Sequence, residues 1–384
     1  MKTFSYFCFR MGKHLLTYLL FLWVGVMSGL AFVVQASPNF YFKQLSQQDG
    51  LPQNFVRSIM LDHNGFFWIG TSRGVSRFDR HEFKNYSAVP DSATSLPDNL
   101  IHFIVEDAQN NIWISTSKGV CVYQRKSDDF KRIRWGKRAL QAHSYMLTDD
   151  ALLLGGRGVI YRWDYARCVM DTVPIRWKER SYAFFNYMSS WRKHYWVLSS
   201  RWEGMWILDC RTGEITRPEF CREREIMAVK VDSRDNLWIS PYGKGLDGYG
   251  DGGRKRVHYD MSNSDLTHNV ILDIEERDGQ LWLATDGGGI SILNRGDNSF
   301  SNIRYVPGDV YSFPVSSVFC LYRDKDNNMW AGTIRGGLFG IKEVYMRTYR
   351  DVPPGSSYGM SDKTVLCLYE DRDGSVWIGT DGGG

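Results

Sequence analysis

From residue 40 onward the apolar residues come in runs of about four to six, bounded by Asp, Asn and Gly, and never at the three-to-four spacing of a helix face. NLIHFIVED (99–107), IWIST (112–116), GVCVYQ (119–124) and FKRIRW (130–135) follow one another in this way, separated by a polar turn and then a Gly-containing one. Such runs read as strands, four to a unit. The unit recurs. HNGFFWIGTSRGV (63–75) and NNIWISTSKGV (110–120) are followed by DNLWISPYGKGL, GQLWLATDGGGI and NNMWAGTIRGGL, beginning at 235, 279 and 327, and by DGSVWIGTDGGG at 373–384. Aligning the apolar anchor gives Trp68, Trp113, Leu154, Trp196, Trp238, Trp282, Trp330 and Trp377, with steps of 45, 41, 42, 42, 44, 48 and 47 residues. Two copies are worn, with Leu154 replacing the Trp in one and the polar turn before Trp196 missing in the other.

Four antiparallel strands repeated at this period predict an all-β fold, a β-propeller in which each unit is a blade. Both faces of a blade are covered by its neighbours, so Trp-Ile-Gly-Thr can be apolar on both sides and the tryptophans are expected in the core. Gly74, Gly119, Gly158, Gly245 and Gly289 follow the anchors at turns expected to need positive φ. Seven units close a ring if YFKQL (41–45), which matches the last strand of other units (FKNYS, FSNIRY), completes the seventh beside Leu338–Ile341. An eight-bladed ring lacking a piece is the alternative.

The chain has 384 residues, and its 14 tryptophans and 15% aromatic content fit a well-filled core. Lys2, Arg10 and Lys13 precede the uncharged run LLTYLLFLWVGVMSGLAFVV (15–34) and then Val34-Gln35-Ala36. Residues 1–36 therefore read as an export signal with the mature chain starting at Ser37, or as an uncleaved membrane anchor. Losing them takes the formal charge from +4 to about +1, which gives no polyanion-binding groove and no nucleic-acid partner. Of the remaining cysteines, Cys121, Cys320 and Cys367 sit in apolar strands and read as buried thiols, while Cys210 and Cys221 flank one hairpin and are candidates to pair.

DHNGFFWIGTSRGVSRFD, DAQNNIWISTSKGV and DGSVWIGTDGGG resemble the repeats of the two-component regulator propeller family. FYFKQLSQQDGLPQNFVRSI (40–59), directly after the leader, resembles the way such sensors begin. The resemblance implies the periplasmic sensor region of a Bacteroidetes hybrid histidine kinase. It also implies a longer relative with two seven-bladed propellers, an immunoglobulin-like domain, a membrane helix, a kinase, a receiver and a helix-turn-helix domain, membrane-anchored and dimeric. On that reading 37–345 is the first propeller, 346–384 begins a second one, and the chain is a truncated piece of such a sensor.

No HExxH, CxxC or Gly-rich strand-to-helix loop occurs, so the sequence offers no catalytic set, cofactor or metal site. DSRDN (232–236), DKDNN (324–328) and DRDG (371–374) lack the later Glu of a calcium loop and read as hairpin turns capped by Asp or Asn. The turns between second and third strands are the sharper signal. They carry Arg73, Lys118, Arg157, Arg201, Lys244 and Arg335, with Asp286 the exception and with Trp202 and Tyr242 beside them. On one end of a propeller these residues predict a site for an oligosaccharide, acidic or sulfated, with arginines on the anion and aromatics on the sugar rings. An exported polysaccharide lyase or glycosidase and a protein-binding scaffold are the rival readings. The glycosidase would need a second carboxylate beside Asp286.

Overall fold

A computed structural model describes residues 39–178, 181–250, 253–309, 311–344, 359–360, 362–373 and 375–382. The expected leader lies outside them, and among the described residues no helix is long and apolar enough to cross a membrane.

Seven four-stranded antiparallel units follow in chain order. The first blade shows the plan, with Val56–Leu61 innermost, then Phe67–Thr71, Gly74–Phe78 and Phe83–Tyr86 outermost. The innermost strands of blades two to seven begin at Ile101, Ser144, Tyr187, Ile226, Ile271 and Val318. Closure follows the sequence expectation. Asn39–Leu45 is the outer strand of the seventh blade, antiparallel to Leu338–Val344, with Phe42 opposite Ile341 and Leu45 opposite Leu338. First and last strands thus share a sheet, and the ring has no open blade.

Two additions were not read from the sequence. Arg134–Trp135 leaves the outer strand of blade two and pairs with Arg138–Ala139, and Arg176–Trp177 runs parallel to Glu214–Thr216 as a fifth strand on blade four. Beyond the ring, Val365–Glu370 pairs with Val376–Thr380 as a two-stranded sheet, Tyr369 opposite Trp377 just as Tyr322 stands opposite Trp330.

The core lies between blades. Met60, Trp68 and Val75 of blade one pack with Ile101, Ile104, Ile114 and Cys121 of blade two, and Trp282 and Ile292 of blade six pack with Val318, Met329 and Phe339 of blade seven, with Phe40 and Phe42 against them. Trp68, Trp113 and Trp282 are fully buried. By area each contributes roughly 4–6 kcal/mol. A Cβ on Gly70 would stand 2.6 Å from Ile101 Cγ2, so glycine there sets how closely two blades approach.

Register corrects the two worn repeats. Trp68 stands opposite Met60 and Arg77, and the residue so placed in blade three is Leu153, opposite Met146 and Arg162, rather than Leu154. In blade four it is Val197, opposite Ser189 and Ile207, rather than Trp196. The cysteine readings divide: Cys121 is buried, Cys320 half-buried, and Cys367 exposed because its hairpin has no covering blade among the described residues. Cys210 is exposed, Cys221 is buried, and both are free thiols, which corrects the candidate pairing. Gly74, Gly119, Gly158, Gly245 and Gly289 all have positive φ, between 64° and 153°, as expected.

Candidate functional site

The ring has two chemically different ends. At one, the hairpins between first and second strands close on aspartates. Asp62, Asp107, Asp232 and Asp324 each accept hydrogen bonds from backbone amides two and four residues on, at 2.8–3.0 Å. Each then accepts a bond from the indole Nε1 six residues on, of Trp68, Trp113, Trp238 and Trp330, at 2.8–3.0 Å. The acidic turns are structural, as the sequence indicated. Among the described residues no cluster of His, Cys, Asp and Glu is arranged to hold a metal ion.

At the other end, turns between second and third strands meet the connections between blades. Gly74 N–H donates to Asn99 O at 2.8 Å, Gly245 to Asn269 O and Gly337 to Asn54 O, both at 3.0 Å. The same asparagines accept, through Oδ1, from Ala88, Met261 and Gln47 N–H at 2.7, 2.9 and 2.8 Å. These clamps fix the turns that carry the predicted site. The signal for them was present in LPQNF, LPDNL and LTHNV (51–55, 96–100, 266–270) and went unused.

All eight predicted site residues lie at this end, distributed over six blades, and none of their side chains bonds another. Three cations are held locally: Lys118 Nζ lies 3.4 Å from Asp98, Arg157 Nε donates to Tyr182 O at 2.6 Å, and Lys244 Nζ to Glu223 at 2.7 Å. Arg73 and Arg335 are exposed and have no side-chain partner among the described residues; they stand on blades one and seven, the neighbours joined by closure. Trp202 and Tyr242 are 68% and 55% exposed on neighbouring blades four and five. Beside Asp286, Gly287 and Gly288 form a polar pocket of about 260 Å³ with Thr267, Arg304, Tyr305 and Ser316.

Arg201 is half-buried, and the sequence reading missed a second group, on the innermost strands. Arg57 leaves the innermost strand of blade one, donates from Nε to Ile101 O at 2.9 Å, and lies over the rings of Phe55 and Phe319 at 5.2 and 5.0 Å. Burial first, then repulsion from Arg201, lowers the basicity of its guanidinium. His102 and His143 stack at 4.1 Å, and His143 stacks on Phe184 at 3.9 Å. Burial pushes both imidazoles down to about 4, helped for His102 by His143 and Arg57 and opposed by Asp98, and for His143 by Arg57. Deeper in the channel Lys230 pairs with both carboxylate oxygens of Glu275 at 2.9 Å, and burial raises Asp273 to about 6.

The sequence model described as "Two component regulator propeller" matches residues 50–73, 95–118, 312–335 and 359–382. Three of these segments begin in a connection between blades, run through the two inner strands and end on Arg73, Lys118 and Arg335; the fourth contains the extra hairpin. Four of the repeats are thus of the two-component regulator propeller type. Among solved structures, this propeller is similar to the extracellular domain of the putative hybrid two component system BT3049 from B. thetaiotaomicron, at 20% identity and a TM-score of 0.66, over 89% of this chain and 52% of that one. It is also similar to the extracellular domain of the putative hybrid two component system BT4673 from the same organism, at 16% identity and a TM-score of 0.62, over 90% of this chain and 52% of that one. The propeller chain therefore spans about half the length of these two structures. No curated protein matches it significantly.

Proposed function

We propose that the propeller is the extracytoplasmic ligand-sensing part of a two-component system and binds an oligosaccharide, acidic or sulfated, on the end that carries the turns between second and third strands. The observation that carries this reading is the asymmetry of the two ends. One closes its carboxylates onto its own backbone and indoles, whereas the other presents Arg73 and Arg335 without side-chain partners among the described residues and Trp202 and Tyr242 to solvent. Guanidinium forks suit carboxylate and sulfate, and exposed aromatic faces suit sugar rings. The export signal read at residues 1–36 and the extracellular domains among the structural neighbours support a periplasmic location. The role is recognition rather than catalysis and needs neither cofactor nor nucleic acid. In a full-length, membrane-anchored and dimeric relative, the ligand would bias a histidine kinase by binding its two conformational states with different affinities.

A thermal-shift screen of the purified chain against neutral, uronic-acid and sulfated oligosaccharides tests the proposal, because a ligand of the native state raises Tm by mass action. Acidic oligosaccharides should stabilise, and Arg73→Ala combined with Arg335→Ala should remove most of the shift. Absence of any shift across the panel, or cleavage of an oligosaccharide during incubation, would overturn it.

A further inference from the structure

The turn between second and third strands of blade six is the one that carries no cation. Thr285-Asp286-Gly287-Gly288-Gly289 is nevertheless built like Thr333-Ile334-Arg335-Gly336-Gly337 of blade seven. In each, the threonine Oγ1 donates to the carbonyl of the last glycine, at 2.8 and 2.9 Å, and accepts the N–H of the glycine before it, at 3.1 and 2.9 Å. Gly287 therefore stands where blade seven has Arg335. The place of that side chain is open, since a Cβ on Gly287 would meet nothing closer than His268 Cδ2 at 3.6 Å. On either side the walls are tight. A Cβ on Gly288 would lie 2.4 Å from Thr267 Oγ1 and one on Gly289 2.3 Å from Ile303 O, so glycine lets the connections before and after blade six come up against the turn. Ser316 O accepts Gly287 and Gly289 N–H at 3.1 and 2.7 Å. Between these walls lies the pocket of about 260 Å³ lined by Thr267, Gly287, Gly288, Arg304, Tyr305 and Ser316.

A cation reaches this pocket from the connection that follows blade six. Arg304, Tyr305 and Ser316 are all exposed, and among the described residues none of their side chains has a hydrogen-bonding, ionic or ring partner. We infer that the pocket is a saccharide subsite that takes one sugar ring bearing a single carboxylate or sulfate group, with the anion on Arg304, ring hydroxyls on Thr267 and Ser316, and a ring face on Tyr305. It rests on the proposed glycan sensing for the kind of ligand, and it adds the place where one ring is held.

Three features fix the chemistry. An unpaired guanidinium suits a planar carboxylate or a sulfate, and a tyrosine 52% exposed at the edge of a polar pocket suits the apolar face of a sugar. The volume lies below the about 300–1,000 Å³ of pockets for drug-sized ligands, so the pocket admits one ring rather than a length of chain. Asp286, exposed on the same turn, weighs against a second anionic group on that ring. Ser317, next in the chain to Ser316, pairs with Asp286 and accepts Ile334 N–H at 3.3 Å, so the turn bearing Arg335 adjoins the pocket.

The test is saturation-transfer NMR of the full chain with methyl glucuronide and methyl glucoside, with inorganic sulfate as competitor. One ring offers little surface, so a Kd on the order of 1 mM is expected, within reach of this measurement. Ring protons of methyl glucuronide should receive saturation, and the neutral glycoside should bind about tenfold more weakly. Arg304→Gln should bring the glucuronide down to the level of the glucoside, with Arg304→Lys intermediate, and Tyr305→Ala should weaken both sugars. Neither side chain has a partner to lose, so Tm without ligand should stay unchanged in these variants. Glucuronide binding unaffected by Arg304→Gln, or glucoside bound as tightly as glucuronide, would overturn the subsite. So would competition by sulfate without any transfer to the sugar ring, which would mean that the anion alone is bound. An oligosaccharide that still raises Tm in Arg304→Gln and Tyr305→Ala, but not in the Arg73→Ala and Arg335→Ala chain, would overturn the subsite and leave the sensing role standing. Methyl glucuronide binding that depends on Arg304, with no oligosaccharide shifting Tm, would do the reverse.

Discussion

Trp330 donates its indole proton to Asp324 at 3.0 Å, and the same carboxylate receives Asp326 and Asn328 backbone amides and the Asn328 side chain. Burial alone would push the Asp324 carboxyl up, but bonds from Trp330 and Asn328 outweigh it and hold the carboxyl below its ordinary value. A depressed folded value stabilises the fold above the carboxylate's unfolded value, and the gain disappears as pH falls through the folded one. Asp324→Ala strands a half-buried indole N–H and two turn amides, and should cost about 2–4 kcal/mol in urea unfolding at neutral pH. The deficit should shrink on acidification below pH ~4; a difference constant from pH 7 to pH 3 would show that the charge is unimportant. DKDNN was legible as a turn because Asp and Asn announce one, whereas the bond to the indole was not, since it depends on register. The same limit displaced the anchors in blades three and four. ALLLGG and YWVLSS are apolar on both faces, so no alternation marks which residue points which way.

Blades were the most legible elements, because a four-strand unit that cannot bury itself alone must repeat and each repeat restates the others. The closing strand was readable from YFKQL for the same reason. Less readable were Arg134–Trp135 and Arg176–Trp177, short pairings fixed by neighbours rather than by their own pattern. Closure can be tested at one residue. Gly337 has φ +86°, and a Cβ there would lie 2.2 Å from Leu45 O in the closing strand. Gly337→Ala should cost about 2 kcal/mol or more and should speed hydrogen exchange selectively in Asn39–Leu45 and Leu338–Val344. Even loosening of all seven blades would count against this account of closure.

At the scale of the whole molecule, one ring presents two faces of opposite character, and the sequence located the binding face only partly. It identified the cations because they recur at one place in the repeat. It could not tell that Lys118, Arg157 and Lys244 are held by Asp98, Tyr182 and Glu223, because those partners come from other segments of the chain. The central claim is that ligand meets the end bearing the turns between second and third strands. Hydrogen exchange of the chain, with and without the oligosaccharide that most raises Tm, tests it most directly. Protection should concentrate at 71–74, 200–204 and 333–337 and leave the aspartate hairpins at 62–66, 107–111 and 324–328 unchanged. Protection confined to those hairpins would put the ligand on the opposite face and contradict the account.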